Sequence, residues 1–201
     1  VVGLSRMAFD FSAAGPGMVA LVNLTTKDVQ GIALEGLTSC SAVTPVPNDD
    51  AHVVVTCQGF VADTDPRDKA GIALLEESEG EANVAAVWRA KDHADVPSLG
   101  GAVSLGGSIV AAVANDYSGT AADVLVTLDL ADATLTTLAE NAPGSGSLGS
   151  LYFDDENGRL FLPDTTSGIR RFARDADGTF AEEAKVSVSS TGMPARHIYP
   201  L

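Results

Sequence analysis

The 201-residue chain has few basic residues, few aromatic residues and no long apolar run, and each shortage excludes a class of function. Twelve Lys and Arg residues stand against 27 Asp and Glu residues, which gives a formal charge of −15. Such a chain repels phosphate groups, so we expect no binding to nucleic acids or to anionic membranes. No run approaches the roughly 20 apolar residues that span a bilayer, so we expect no membrane span. An aromatic content of 5% leaves little for a stacking platform that would hold sugars or bases.

Motifs for catalysis, metals and cofactors are also missing. The sequence has no Gly-x-Ser-x-Gly motif and no Gly-rich phosphate loop followed by Lys. His52, His93 and His197 lie far apart and share no metal-ligand spacing. Asp175-Ala176-Asp177-Gly178 resembles part of a calcium loop, but alanine would occupy both end positions where calcium needs a carboxylate. The sequence therefore predicts no catalytic residue, no metal site and no cofactor.

Helical periodicity is not sustained over any stretch of helical length. Short apolar segments are separated by turns rich in Gly, Pro, Asn and Asp, which is typical of strands and hairpins. An apolar content of 45% and a charged content of 19% suit a globular protein and argue against disorder. The fold class predicted is all-β.

A loose repeat of about fifty residues organises these strands, and a fixed period of this kind marks arrays whose units cannot bury their own apolar faces. The third strands of the units are predicted to begin near Met18, Gly71, Asp123 and Gly168, and the fourth strands near Val29, Asn83, Thr134 and Ala184. Four-stranded antiparallel units of this length suit the blades of a β-propeller. We therefore expect about four blade units.

The ends of the repeat leave two architectures open. The predicted units, within a single propeller domain or propeller section, are 1–36, 37–90, 95–141 and 145–188. The first unit lacks an opening strand, whereas residues 193–201 are typical of the opening strand of a blade. Either that strand completes a four-bladed ring, or the chain is part of a longer propeller of about six to eight blades. We expect the longer propeller, because four blades is the small end of the range and because Val1 indicates a processed or excised product.

The fourth unit carries a family resemblance. The acidic turn Asp155-Glu156-Asn157-Gly158 precedes the predicted strand 159–162, and Asp164-Thr165 follows this strand before the next, 168–172. This order resembles the repeat of the YVTN/lactonase-like β-propeller family, in which a Pro-Asp-Gly-type turn precedes a strand that ends in a small polar residue. The resemblance covers most of the chain at the level of the repeat. It implies a propeller fold and brings no catalytic motif with it.

The two cysteines, Cys40 and Cys57, flank a predicted hairpin. Folding the chain at Pro47-Asn48-Asp49-Asp50 sets Cys40 opposite Cys57 and Val43 opposite Val54. Directly opposed residues place their Cβ atoms about 4.5–5.5 Å apart, close to disulfide reach. We therefore prefer a cross-strand disulfide to two buried free thiols. A disulfide implies an oxidising compartment, which is the periplasm, the cell surface or the extracellular space.

Candidate binding residues follow from the expected propeller. The opening strands of blades line the central channel, so Arg196 and His197 are the preferred polar pair, against the alternative of an ordinary strand end. Function is also expected in the longer loops, 59–70 and 115–122.

These features favour a non-enzymatic, extracytoplasmic module that binds an unidentified protein or small ligand. One alternative is a lactonase-like or other hydrolase whose site needs further blades. Another is a structural assembly component that associates with itself through terminal strands by strand addition.

Overall fold

The computed structural model describes residues 1–4, 6–8, 10, 12–60, 63–94, 96–116, 119–144, 148–166, 168–187 and 198. Regular structure in these residues is almost entirely β, as the sequence predicted. Fifteen strands occur, and each runs antiparallel to its neighbours. In chain order they are β1 Val2–Leu4, β2 Pro16–Val22, β3 Val29–Thr38, β4 Cys40–Val46, β5 Asp49–Gln58, β6 Ala70–Ser78, β7 Glu81–Arg89, β8 Ser98–Gly106, β9 Ile109–Asn115, β10 Val124–Asp129, β11 Leu135–Glu140, β12 Tyr152–Asp154, β13 Arg159–Asp164, β14 Gly168–Arg174 and β15 Phe180–Glu182.

The strands form four sheets in which neighbours in the chain are neighbours in space. The first sheet contains β1, β2 and β3, the second β4 to β7, the third β8 to β11 and the fourth β12 to β15. These are the blade-like antiparallel units that the sequence predicted, and the first has three strands among the described residues. Whether the units make one domain, with the boundaries given above, stays a prediction.

Helical structure in the described part of the chain is confined to two short 3-10 helices. They cover Pro66–Lys69 and Ala90–Asp92. Helices of four and three residues are too short to cross a bilayer, and no described helix is long and apolar enough to do so.

Three apolar cores separate the four sheets, one core at each contact between consecutive sheets. Strand β6 shows how they arise: Ile72 and Leu74 lie in the core shared with the third sheet, whereas Ala73 and Leu75 lie in the core shared with the first. Side chains alternate across a strand, so an uninterrupted apolar run supplies both faces at once. Complete burial of one large aliphatic side chain contributes about 1.5–3 kcal/mol. The inner sheets are therefore stabilised on both faces by their neighbours.

The last strand begins earlier than the sequence predicted. The prediction placed a strand from Ala184, but β15 covers Phe180–Glu182. The preceding turn is closed by the amide of Asp175, which donates to the carbonyl of Thr179, so Phe180 already pairs with Arg174. Beyond β15 the described residues add one isolated bridge, between Val186 and Ile169.

The cysteine hairpin forms, with a register that differs in part from the prediction. Cys40 pairs with Cys57 and the two sulfur atoms are bonded, which confirms the predicted disulfide. Val43 pairs with Val55 and not with Val54, because a bulge follows Cys40 and shifts the pairing by one residue. The turn is tighter than predicted, and Asn48 takes a left-handed conformation (φ 58°) in it, as Asn readily does.

The disulfide lies inside the core between the first and second sheets. Both cysteines are fully buried there, together with Leu34, Leu37 and Val55. The backbone of Gly17, in β2, comes so close that a Cβ atom at that position would overlap Cys40 Sγ. The bond therefore stabilises the second sheet and also shapes the surface on which the first sheet packs.

Replacing both cysteines by alanine should lower the free energy of unfolding by about 3 kcal/mol, because the bond closes a loop that spans 17 residues. Urea unfolding followed by circular dichroism measures this difference. A reductant should lower the stability of the wild-type protein by a similar amount and leave that of the double variant unchanged. A mass measurement that finds two free thiols in the non-reduced wild-type protein would contradict the bond.

Candidate functional site

An open groove of about 680 Å³ lies at one edge of the second and third sheets. Antiparallel strands alternate in direction, so the β5–β6, β7–β8 and β9–β10 connections all leave the sheets at this edge. We call the opening between them the loop groove. It is lined by Asp65, Arg67, Ala94, Pro97, Ser98, Asp116, Thr120, Ala121, Ala122, Val124, Thr137 and Glu140.

Both loops that the sequence analysis singled out contribute to this groove. Asp65 and Arg67 come from loop 59–70, and Asp116, Thr120 and Ala121 come from loop 115–122. The loops are more than forty residues apart in the chain, and they meet because the second and third sheets pack face to face.

The first wall of the groove is a 3-10 helix with a fixed start. Asp65 caps it, since Asp65 Oδ1 accepts a hydrogen bond from the amide of Arg67 at 3.0 Å. The Arg67 guanidinium then reaches the β7–β8 connection, where Nη1 donates to the carbonyl of Ala94 at 3.5 Å. Gly59 precedes the wall with φ 77°, and a Cβ atom there would overlap the carbonyl oxygen of Pro66. Only glycine fits this approach of the two backbone segments.

The second wall is held by the buried carboxylate of Asp123. Its Oδ2 accepts hydrogen bonds from Asn115 Nδ2 at 2.9 Å and from the amide of Leu148 at 3.2 Å, and its Oδ1 accepts one from the amide of Asp116 at 2.7 Å. Asn115 and Asp123 lie at the two ends of the loop, so these bonds clamp it closed. Inside the loop, Asp116 Oδ2 accepts the amide of Thr120 at 2.7 Å.

The floor and rim of the groove combine small apolar side chains with polar groups of mostly negative charge. Alanines 94, 121 and 122 leave the groove open, while Ser98, Thr120 and Thr137 supply hydroxyl groups. Three carboxylates face one guanidinium among the lining side chains. The groove therefore offers hydrogen bonds together with a negative field, and it disfavours anions.

An ion-pair network around the buried Arg170 supports the strand end that carries Glu140. Arg170 Nε and Nη2 donate to the two carboxylate oxygens of Glu182 at 2.9 and 2.8 Å, and Nη1 donates to the carbonyl of Glu140 at 3.5 Å. Hydrogen bonding to Glu182 raises the pKa of Arg170, although burial of Arg170 acts in the opposite direction. The same hydrogen bonds lower the pKa of Glu182. Asp164, almost completely buried, adds a carboxylate 3.9 Å from Arg170 Nη1. The third and fourth sheets are thereby fixed against each other behind the groove.

The two adjacent arginines of β14 point to opposite faces, because side chains alternate across a strand. Arg170 is buried against the third sheet, whereas Arg171 lies on the outward face with its Nε 3.4 Å from Glu183 Oε2. They do not form a joint anion site.

The preferred polar pair, Arg196 and His197, lies outside the described residues. The other two histidines are apart from each other and from the groove lining: His52 contacts Asp49 Oδ2 at 2.8 Å, and His93 stacks on Trp88 with ring centres 5.0 Å apart. The bond from His52 lowers the pKa of Asp49. Among the described residues, no group of three or more His, Cys, Asp and Glu side chains could hold a metal ion.

Sequence reasoning missed two residues that build this site, Asp123 and Arg170. Asp123 directly precedes the apolar strand β10, and that position was its available signal, whereas Arg170 lies in β14, whose seven residues include three arginines. The partners of Asp123 include Leu148, and those of Arg170 include Glu140, so both networks depend on packing between distant segments.

Comparison with known proteins supports the fold alone. No protein-family model matches the sequence, and no curated protein matches it. The structure is similar to that of a protein from Bacteroides uniformis assigned as a 6-phosphogluconolactonase, with a TM-score of 0.60 and 14% identity over 95% of this chain and 56% of that chain. This chain thus spans little more than half the length of that protein.

Two weaker similarities carry no argument about function. One is to a chain from the S. cerevisiae complex of Dbp5 with Nup159 and Gle1, with a TM-score of 0.43 and 10% identity over 90% of this chain and 52% of that chain. The other is to a protein from Lactobacillus plantarum, with a TM-score of 0.26 and 8% identity over 92% of this chain and 82% of that chain. The similarity to the Bacteroides uniformis protein supports a lactonase-like propeller fold.

Replacing Asp123 by Ala should lower the free energy of unfolding by about 3 kcal/mol, because three donors, two of them buried, lose a charged acceptor. The amide of Asp116 should also exchange faster with solvent. Urea unfolding and hydrogen exchange measure the two effects.

Asp129→Ala is the matched control, since Asp129 ends β10, the strand that Asp123 precedes, and accepts bonds from Ser108 Oγ and the amide of Ala131 at a half-buried site. This substitution should lower the free energy of unfolding by about 1 kcal/mol. Equal losses for the two variants would contradict the role of Asp123 as a clamp.

Proposed function

We propose that the chain is a non-enzymatic, extracytoplasmic binding module, and that the loop groove holds an extended, basic segment of a partner protein. The observation that carries the proposal is the meeting of loops 59–70 and 115–122 in one open groove. Binding residues are concentrated on loops that a rigid scaffold positions, and here three packed sheet contacts supply that scaffold.

The shape and charge of the groove support a peptide-like partner. Alanine side chains leave space for a backbone, and hydroxyl and carboxylate groups supply acceptors along the opening. Lys and Arg residues on the partner would meet Asp65, Asp116 and Glu140, against the single guanidinium of Arg67. Charge complementarity of this kind raises the association rate and the specificity of binding.

The disulfide supports the location that the proposal requires. Disulfide bonds persist in oxidising compartments and are rare in the cytosol. The Cys40–Cys57 bond is fully buried in the core, so it belongs to the folded structure and not to an exposed redox site. We place the module in the periplasm, at the cell surface or outside the cell.

The fold likeness favours a hydrolase as an alternative function. The Bacteroides uniformis protein is assigned as a 6-phosphogluconolactonase, and this chain covers 56% of its length. A lactonase-like site completed by further sheets would fit that relation. Because one fold hosts many unrelated activities, the groove and its chemistry carry more weight here than the likeness.

Filling the groove should abolish peptide binding. In a display library of random linear peptides, the sequences bound by the wild-type protein should be enriched in Lys and Arg. Ala121→Trp should weaken binding of such a peptide by at least about tenfold, because the indole occupies the opening. Fluorescence anisotropy with a labelled peptide measures the change.

Ala131→Trp is the control, because both alanines are exposed and each donates its amide to an aspartate carboxylate, Ala121 to Asp116 and Ala131 to Asp129. It should leave binding unchanged. Equal binding by the two variants, or a library selection without basic enrichment, would refute the groove as a site for basic peptides.

A specific observation also favours a role in assembly. The face of the first sheet that points away from the second is apolar and uncovered among the described residues. Val2 and Leu4 are 50% and 36% exposed on it, and they pair with Ala20 and Met18. Sheet faces of this composition are buried between the other sheets, so this face is suited to receive a further sheet.

The outward face of the fourth sheet is its counterpart. Tyr152 and Phe161 stack there with ring centres 6.1 Å apart, Ile169 is half-buried on the same face, and Arg171 pairs with Phe161 and lies 3.4 Å from Glu183. A second copy that placed this face on the first sheet would continue the series of sheet contacts head to tail.

Head-to-tail association can be tested by complementation. Met18→Asp and Phe161→Asp should each convert a wild-type oligomer to a monomer in light scattering, because each buries a charge at the contact. Mixing the two variants should restore a complex, since one intact contact remains. Val84→Asp, at an exposed apolar site on β7, is the control. A wild-type monomer at high concentration would exclude this role, and loss of association in the Met18 variant alone would indicate pairing of two first sheets.

A further inference from the structure

A second opening lies at the edge of the sheets opposite the loop groove. It is a cavity of about 430 Å³ between the first and second sheets, where the β2–β3, β4–β5 and β6–β7 turns gather. We call it the intersheet cavity. It shares no lining residue with the loop groove, so what it binds does not depend on the function proposed above.

The floor of the intersheet cavity is apolar. Ile32, Leu75 and Ala82 are buried members of the core between the two sheets. Leu21 and Val53 pack against the same core but are only half-buried, and both line the cavity. The core therefore continues into an opening in which apolar surface still contacts solvent.

The width of the cavity is set by a bridge between the sheets. Gln30 Nε2 donates to the carbonyl of Ala82 at 3.2 Å, and the amide of Ala82 donates back to Gln30 Oε1 at 2.9 Å. Both ends of the Gln30 amide are used in this bridge. It holds the two sheets at a fixed separation and leaves recognition of a ligand to the rim.

The rim is acidic on all three turns. Asp28, Asp50 and Glu77 line it, and no side chain among the described lining residues is basic. The nearby ammonium group of Lys27 donates to the carbonyl of Leu24, and His52 contacts the carboxylate of Asp49. A cation in the cavity would therefore gain three carboxylates without displacing a bound lysine.

We propose that the intersheet cavity binds a small organic cation in which an ammonium group is attached to an apolar body. The apolar body would lie on Leu21 and Val53 and complete the burial of the core. The ammonium group would remain at the rim, among Asp50, Glu77 and Asp28, where it keeps part of its hydration. Cavities of a few hundred Å³ that combine an apolar floor with a few polar groups are typical of small-molecule sites.

Three probes with the same apolar body and different heads test the proposal: octylammonium, 1-octanol and octanoate, titrated calorimetrically below their aggregation concentrations. Octylammonium should bind most tightly, 1-octanol about tenfold more weakly and octanoate not measurably, because the rim attracts a cation and repels an anion. Octylammonium affinity should also fall as salt is added.

Substitutions at the acidic rim test whether octylammonium binds in the intersheet cavity. Glu77→Gln and Asp50→Asn should each weaken octylammonium binding by about fivefold, the size of one partly solvated ion pair, and leave 1-octanol unaffected. Glutamine retains the acceptor that Glu77 Oε1 offers to the amide of Gly80. Asp132→Asn, in the β10–β11 turn at the same edge, is the matched control and should change nothing.

Val53→Thr tests the floor, since it adds a hydroxyl with little change of shape, and it should weaken both octylammonium and 1-octanol. A thermal melt confirms that each variant is folded. The proposal is overturned if the three probes bind equally, if none binds, or if binding persists unchanged in the Val53 and Glu77 variants. Ala121→Trp should leave octylammonium binding intact, which separates this site from the loop groove.

Discussion

Burial of both faces of each inner sheet is the constraint on which the rest of this structure depends. Val54 and Val55 are adjacent in β5, yet one lies in the core shared with the third sheet and the other in the core shared with the first. A strand with this pattern cannot be satisfied by a two-layer sandwich, because one of its faces would stay in water. The chain therefore stacks its sheets in a series, and the turns and loops are left at the two edges of the stack.

Both candidate sites lie at contacts between consecutive sheets, which we call seams. Their position follows from the burial of both faces of the inner sheets. Packed strand residues fill the middle of each seam, whereas turn residues border its ends. The loop groove opens where loops 59–70 and 115–122 border the contact between the second and third sheets. The intersheet cavity opens at the opposite edge, at the contact between the first and second sheets. The core thus fixes where openings can occur, and loop composition decides their chemistry.

The sequence predicted what depends on local pattern. The apolar runs that became β6 and β10 were placed near Gly71 and Asp123, because continuous burial leaves few polar interruptions. The opposition of Cys40 and Cys57 was also predicted, since turn residues at the centre of the segment fix the hairpin.

The features that the sequence did not predict depend on irregular backbone geometry or on contacts between distant segments. The bulge after Cys40 moved Val43 from Val54 to Val55, and no residue type marks such a bulge. The tight turn before Phe180 brought the last strand forward. Asp123 was placed only as a strand start, because its three donors include the amide of Leu148 from the distant β11–β12 connection. The local pattern therefore predicts strands well, whereas the clamps that shape a site require the assembled sheets.

The seams share one further device, a long polar side chain that donates across the gap to backbone carbonyls of the neighbouring sheet. Arg89 Nη2 reaches the carbonyl of Glu35 at 2.8 Å, Gln58 Nε2 that of Gly100 at 2.7 Å, and Arg174 Nη1 that of Leu105 at 2.9 Å. A hydrogen bond of this kind contributes about 0.5–1.5 kcal/mol. These bonds join neighbouring sheets near the ends of their strands.

In the intersheet cavity the bridge from Gln30 to Ala82 spans the gap, while the apolar floor beside it remains uncovered. Leu21 and Val53 are left half-buried at an acidic rim, a combination that neither solvent nor the core satisfies fully. An apolar cation satisfies both, because its body extends the core and its charge meets the rim. Side chains that donate between sheets thus close parts of each sheet contact, and at this edge of the first contact they leave a place for a ligand.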